Sequence, residues 1–285
     1  MTATANRLWR WLLLPGALWL LVLFIAPFGV VILVSLGTTD ILQRPVFGWY
    51  PENYAQVFDP LFIPVILRSA LFAMVTTVLC LVIGYPVAYM IARYGGRFRN
   101  LLIVLIILPW FADYLVRIYA WFVILGNEGI VNGILHAIGL TGNPPIIFLN
   151  TPFAVVGGLV YDFLPFMILP IYASLERMNP SLIEAGKDLY GTPLQTFLHV
   201  TWPATVQGVV AGAVLVGLPA VGDFATAQIL GGPNTYMIGN LIQDQFTNGG
   251  YWPFGAALTI VLMILLSLLM IFYLRSASRP AEAAV

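Results

Sequence analysis

The sequence predicts an all-α membrane protein with six spanning helices, and three observations predict it. The 285-residue chain is 60% hydrophobic and only 8% charged, whereas a typical soluble domain is about 25% charged. Its apolar residues gather into six blocks, at about 11–36, 65–92, 101–125, 152–175, 205–230 and 255–274. Each is long enough to cross about 30 Å of hydrocarbon, which takes roughly 20 helical residues. The charges are also sorted. Twelve basic residues balance twelve acidic ones, yet Arg7, Arg10, Arg93, Arg97, Arg99, Arg177, Lys187, Arg275 and Arg279 all fall on one side of a six-span topology. By the positive-inside rule that side is cytoplasmic, so both termini are expected there.

The first block follows a short basic lead and carries Trp9, Trp11 and Trp19 near its cytoplasmic end, as an interfacial aromatic belt does. It is too long for the h-region of a signal peptide, so it is expected to be retained. Residues 37–64 read as an external loop in which PENYAQVF makes one or two amphipathic turns. Gly84 and Pro86 are expected to interrupt the second span. RYGGRFRN is a tight basic cytoplasmic turn, and Pro109, Asp113 and Arg117 lie inside the third span. The external loop at 126–151 carries GIVNGILHAIGL, a short interfacial helix. The fourth span holds Gly157, Gly158, Asp162, Pro165 and Pro170, and the fifth holds Gly208, Gly212, Gly217, Pro219, Gly222 and Asp223. Small residues let helices approach closely, and prolines inside a membrane need neighbours to repair the freed backbone groups. These two spans are therefore expected at the centre of the protein.

Between them lies a polar stretch, Glu176 to Pro203, with five charged residues. Asn179 can cap a helix there, Pro180 suits its first turn, Gly191 stands where a left-handed C-cap sits, and Pro193 prevents continuation. The helix puts Leu182, Ala185, Gly186 and Leu189 on one face and Glu184, Lys187 and Asp188 on another. It is a cytoplasmic helix with small residues available to a partner.

Several chemistries are excluded. Cys80 is the sole cysteine, so there is no intrachain disulfide and no cysteine-based metal site. Lys187 is followed by Asp188, and no phosphate-binding loop or dinucleotide fingerprint is present. His136 and His199 are isolated in their segments. No catalytic site, metal, cofactor or nucleic-acid partner is expected, and any ATP chemistry belongs to another chain.

Four ionisable residues inside spans remain: Asp113, Arg117, Asp162 and Asp223. A charge at mid-bilayer costs about 2.5–3.5 kcal/mol on insertion scales, so each needs a partner or a wet cavity. Asp113 and Arg117 are four apart with the acid first, the favourable order for a helical ion pair. Asp162 and Asp223 have no basic residue one turn away and are expected to be left for a substrate. Three carboxylates against one guanidinium attract a cation from outside.

Glu184-Ala185-Gly186, with Val200 and Trp202-Pro203 after it, resembles the EAA signature of permease subunits of ATP-binding-cassette importers. There a Glu-Ala-Ala triplet is followed by Gly after three residues and by Ile-x-Leu-Pro further on. Here Gly186 replaces the third Ala, Gly191 comes one place late, and Val200 and Trp202 replace Ile and Leu. The resemblance implies that this helix couples to a cytoplasmic ATPase through Glu184, Ala185, Gly186, Lys187, Asp188, Gly191 and Pro203. LVRIYAW at 115–121, VYDFLPFMILPIYASLERMN at 160–179 and PAVGDFATAQILGGPNTYMIGNLI at 219–242 are similar to the spermidine/putrescine branch of this family, although many relatives have Asn at the position of Asp162. The resemblance implies a type I permease fold, with a first span and loop at 1–64, the transport domain at 65–275 and a cytoplasmic tail at 276–285. It also implies two ATPase subunits, a second permease and an external binding protein as partners in a bacterial inner membrane, and a small polyamine cation as substrate. The rival is an ion-coupled secondary transporter using the intramembrane carboxylates; its inverted repeats are not apparent, and it would leave the cytoplasmic helix without a partner.

Overall fold

A computed structural model describes residues 15–41, 44–140 and 144–277. The basic lead with Arg7, Trp9, Arg10 and Trp11, Gly142, and the tail from 278 with Arg279 lie outside the described residues.

The elements in chain order are α1 (Pro15–Ser35), whose Leu21–Ile25 segment is wound as a π-helix; the two-residue strands β1 (Thr38–Thr39) and β2 (Pro45–Val46), antiparallel with Thr38 opposite Val46; α2 (Glu52–Val57) and α3 (Ile63–Tyr94). Then come α4 (Arg99–Ile107), a 3-10 turn at Leu108–Phe111, α5 (Tyr114–Leu125) and α6 (Ile130–Ala137). α7 (Pro152–Arg177) leads to α8 (Pro180–Tyr190) and α9 (Pro193–Gly222), the last holding a π-helical stretch at Phe197–Thr201. The chain ends in α10 (Ala225–Leu230), α11 (Ile238–Thr247) and α12 (Trp252–Ala277). Six segments are long and apolar enough to cross a membrane: Pro15–Ser35, Ile63–Tyr94, Tyr114–Ala137, Pro152–Arg177, Pro193–Gly222 and Trp252–Ile271.

Three spans differ from the sequence reading. The second is not interrupted, because α3 runs through Gly84 and Pro86 for 32 residues. The third does not run as one helix from 101 to 125. Pro109 starts a 3-10 turn, Ala112 and Asp113 are extended, and α5 begins afresh at Tyr114. The fifth stops at Gly222, where Asp223 turns to an extended conformation before the separate α10. In both breaks an aspartate accepts backbone N–H groups of the helix that follows, and these are the groups a new helix leaves without partners.

Two compact units divide the described chain. One comprises the residues up to Ile63 with Leu241–Leu265. Within it the buried Asn53 pins the loop that follows α1: its amide donates to the carbonyls of Ser35 and Gly37, at 2.8 and 2.9 Å, and its oxygen accepts from Tyr251 at 3.0 Å. Ser35 and Tyr54 add a hydroxyl pair at 2.6 Å.

The other unit comprises Pro64–Asn240 with the residues from Leu266 onward. Its core is the contact of α7 with α9, joined by α3, around Cys80, Tyr85, Met167, Ile171, Leu175 and Val216. Two glycines set that contact. A Cβ on Gly208 would lie 2.6 Å from the Pro170 carbonyl, and one on Gly212 would lie 2.7 Å from the Met167 sulfur. The small residues thus do what their density in the sequence suggested: backbones meet where side chains would hold them apart. Pro165 and Pro170 sit inside α7 without ending it. At the end of the same core that meets the start of α9, Tyr85 hydrogen-bonds Thr205 at 2.8 Å and packs on Phe197 and Trp202.

Candidate functional site: a buried charge cluster and a capped helix

The break before α5 places two of the four in-span ionisable residues. Asp113 is the N-cap of α5; its Oδ1 accepts from the N–H groups of Leu115 at 2.9 Å and Val116 at 3.4 Å. That fixes its exposed carboxylate at the head of the helix. The expected pair between Asp113 and Arg117 is therefore not formed. With Asp113 held at the cap, Arg117 lies one turn into α5 and points into the protein.

Arg117 instead meets Asp162 of α7. Its Nε lies 3.5 Å from Asp162 Oδ1, and the side chains are 8% and 4% exposed. This overturns the expectation that Asp162 has no partner of its own: the partner comes from another helix. Neither of these two facing atoms has a hydrogen bond among the described residues. The guanidinium lies 5.8 Å from the ring centroids of both Trp110 and Tyr114, within reach of a cation–π attraction. The pair is thus an electrostatic contact between two desolvated groups without the bidentate geometry that guanidinium and carboxylate adopt when docked firmly.

Tyr114 connects this pair to the second break. Its hydroxyl donates to Asp223 Oδ2 and lies 3.0 Å from the Thr226 hydroxyl. Asp223 Oδ1 accepts the Thr226 N–H at 3.0 Å. The half-buried Asp223 has hydroxyl and amide partners but, among the described residues, no salt bridge. The cluster brings Asp162, Asp223 and Arg117 together and leaves Asp113 exposed at the N-terminal end of α5. Two carboxylates against one guanidinium leave one net negative charge in the cluster. Sequence reasoning missed Tyr114 and Thr226. A hydroxyl side chain next to a break in an apolar helix was the only signal available.

The loop that carries Asp223 is tightly set. A Cβ on Gly239 would lie 2.5 Å from the Gly222 carbonyl and 2.7 Å from that of Asp223, so α11 packs directly on the backbone of the break. Arg68 of α3 donates to the Tyr236 carbonyl at 3.4 Å, and Ser69 accepts from the Ile238 N–H at 2.7 Å.

The capped helix between the fourth and fifth spans forms as its residues require. The Asn179 side chain accepts from Ser181 N–H at 3.1 Å. Gly191 adopts φ +70°, and its N–H bonds the Lys187 carbonyl at 2.9 Å. Thr192 then caps α9 through the Gln195 N–H at 3.3 Å. Gly186 is buried, and a Cβ there would lie 2.9 Å from Val200 Cγ2 and 3.0 Å from Thr196 Cγ2. Both neighbours flank or belong to the π-helical stretch of α9. Tyr190 stacks on His199 at 4.9 Å. Of the predicted face, only Gly186 is spent on packing within the chain. Leu182 is 50% and Leu189 76% exposed, and Ala185, Glu184, Lys187, Asp188 and Pro203 are exposed as well.

Apolar spans, a charge cluster bedded between them and an exposed capped helix define a multi-pass membrane permease. The chain belongs to the family of binding-protein-dependent transport system inner membrane components, whose model matches residues 81–280. It is 40% identical over 258 residues to the spermidine/putrescine transport system permease protein PotB of Haemophilus influenzae, covering 90% of each chain. To PotB of Escherichia coli K12 it is 39% identical over 259 residues, covering 91% of this chain and 94% of that one. Its fold matches a chain in the crystal structure of a bacterial alginate ABC transporter in complex with an alginate pentasaccharide-bound periplasmic protein. There the TM-score is 0.78 at 18% identity, covering 98% of this chain and 96% of that one. Family membership makes the chain a transport component and not an enzyme, and it replaces the secondary-transporter reading.

Proposed function

We propose that this chain is a translocating permease subunit of an ATP-driven importer for spermidine or putrescine. The observation that carries the reading is the cluster of Asp162 and Asp223 around a single guanidinium, in a chain about 40% identical over nine-tenths of its length to a spermidine/putrescine permease. A cation passing this cluster meets a net negative charge inside low-dielectric surroundings, where each electrostatic contact counts for more than in water. Asp113, Arg117, Asp162 and Asp223 form the substrate route. The partners are two cytoplasmic ATPases, a second permease and an external binding protein that delivers the substrate. Residues 65–275 are the transport domain, and both termini are cytoplasmic.

Coupling runs through α8. Its exposed Leu182, Ala185 and Leu189, flanked by Glu184, Lys187 and Asp188, form a small apolar patch with charged edges, held rigid by caps at both ends. That is the design of a helix that docks in a groove. Gly191 ends it, and Pro203 opens the regular part of α9 behind it. The test is uptake of radiolabelled spermidine and putrescine by the chain co-expressed with an ATPase, a second permease and a binding protein of a spermidine/putrescine importer. Saturable, ATP-dependent uptake is expected. No uptake of either amine by an assembled complex refutes the substrate.

A further inference from the structure

We propose that Arg117 is a resident counter-cation: it occupies Asp162 in the unloaded permease and is displaced when an ammonium group of the substrate takes its place. The idea rests on the polyamine reading above and adds how the route is kept closed.

Four observations support it. The Arg117–Asp162 contact is desolvated but loose, 3.5 Å between Nε and Oδ1, with neither atom hydrogen-bonded among the described residues. A buried carboxylate cannot be abandoned, because an uncompensated charge in this setting is far more costly than a paired one. If Arg117 leaves, another cation has to arrive, and a primary or secondary ammonium carries the same charge. The helix that bears Arg117 also begins beside the pair as a segment of its own. α5 is separated from α4 by the 3-10 turn and the extended Ala112–Asp113 step, with Asp113 capping its start. It packs chiefly on the short α10 and only lightly on α7. Besides the Arg117 pair, it meets α7 through Ile118 and Leu125, which share a buried cluster with Ala154, and through Trp121 against Tyr161 at 5.5 Å. Finally, a second carboxylate is within the same cluster. Asp223 already has Tyr114 as its donor and carries no salt bridge among the described residues, so a diamine that displaces Arg117 finds a further negative charge.

Exchange of one cation for another would keep the empty route closed without locking it. The protein's own guanidinium neutralises the acid until substrate arrives, and its release removes the charged contact between α5 and α7. Affinity is lowered in proportion to the time the seat is taken. If Arg117 holds it nine-tenths of the time, the apparent Kd is about tenfold weaker than that of the bare seat.

The experiment measures equilibrium binding of radiolabelled spermidine to the purified permease–ATPase complex without the external binding protein, together with uptake by the reconstituted full system. R117M is expected to bind spermidine about tenfold more tightly than wild type and to turn over more slowly, since nothing displaces the bound amine. D162N is expected to bind at least tenfold more weakly, and the double variant R117M/D162N should behave like D162N. A purely structural pair predicts the opposite: R117M gains no affinity, and the double variant, with both charges gone, regains wild-type uptake. Either result overturns the proposal. Should R117M fail to assemble, R117K keeps the cation on a shorter reach and is expected to tighten binding by a smaller factor; unchanged or weaker binding by assembled R117K overturns the proposal. A methanethiosulfonate cross-link between cysteines placed at Trp121 and Tyr161 supplies a readout that leaves the charges intact. It should stop uptake reversibly, and undiminished uptake in the cross-linked complex also overturns the proposal. Uptake by the wild-type complex is scored first and alone. Its absence refutes the polyamine reading, and the latch with it, whereas uptake with the wrong order of affinities refutes only the latch.

Discussion

Alanine substituted at Gly157, Gly158 and Gly208 applies one chemical change to three sites that differ in what the new methyl meets. In a helix interior the exchange of Gly for Ala gains about 1 kcal/mol of propensity. Nothing lies within 4 Å of a Cβ on Gly157, so that gain is expected to appear almost whole. At Gly158 the methyl would lie 2.7 Å from Leu230 Cδ1 and 2.8 Å from Thr226 Cγ2, side-chain atoms of buried residues and not backbone. Overpacking costs about 1–3 kcal/mol, and the low end applies, so the two effects nearly cancel. At Gly208 the obstacle is backbone, the Pro170 carbonyl at 2.6 Å. That is about 0.7 Å short of the roughly 3.3 Å at which carbon and carbonyl oxygen meet. Since α7 cannot yield locally, the upper end applies and the net loss is about 2 kcal/mol, or roughly 4–8 °C in Tm. Thermal melting of the chain purified in detergent, followed by size-exclusion fluorescence, gives the ranking. Gly157→Ala should melt at or above wild type, Gly158→Ala near it and Gly208→Ala well below. If Gly208→Ala melts within a degree of Gly157→Ala, close backbone approach is not what holds α7 to α9.

Glu184→Lys, which reverses a charge on the exposed edge of α8, should leave the chain inserted and abolish ATP hydrolysis stimulated by the binding protein; normal stimulation removes α8 from the coupling path. Asp223→Asn keeps the shape but removes the charge that Tyr114 meets, a bond worth about 1.5–3 kcal/mol, so spermidine uptake should fall about tenfold or more with assembly unchanged. Gly239→Ala should push α11 from the break at Gly222 and Asp223 and lower uptake severalfold, read from initial rates at equal expression. Single cysteines at Gly95 and Glu184 should react only after the cytoplasmic side is opened, and those at Tyr50 and Leu140 should react in intact cells; the reverse pattern inverts the topology.

What was legible in the sequence was local. Asn179, Pro180 and Gly191 mark the ends of α8 because capping is decided within three or four residues of each end. The positions of the spans follow from apolar length alone. The ends of the third and fifth spans were misplaced although the signal was present: Asp113 and Asp223 are short acceptors that start new helices, and Pro109 disrupts the one before. Each carries a charge and also accepts an N–H group from the first turn of the helix that follows. The partner of Asp162 was not legible at all. Arg117 is 45 positions away, and only the packing of α5 against α7 brings the two together. Nearness in sequence suggested Asp113 instead, whose carboxylate the backbone had already taken.

The π-helical stretch at Phe197–Thr201 fixes more than a local irregularity. Such a segment amounts to one extra residue wound into an otherwise regular helix. Each residue of an α-helix advances the azimuth by about 100°. Everything before Phe197 is therefore turned, relative to the membrane-crossing part of α9, by roughly that angle from where an unbroken helix would put it. α8 is seated on this very stretch, through Gly186 against Thr196 and Val200. The direction in which α8 presents its exposed face is thus dialled by a single residue of winding. Tightening the stretch back to α-helical pitch would swing that face around the axis of the span without altering a side chain, which makes it a screw thread by which rotation at one end of α9 becomes displacement at the other.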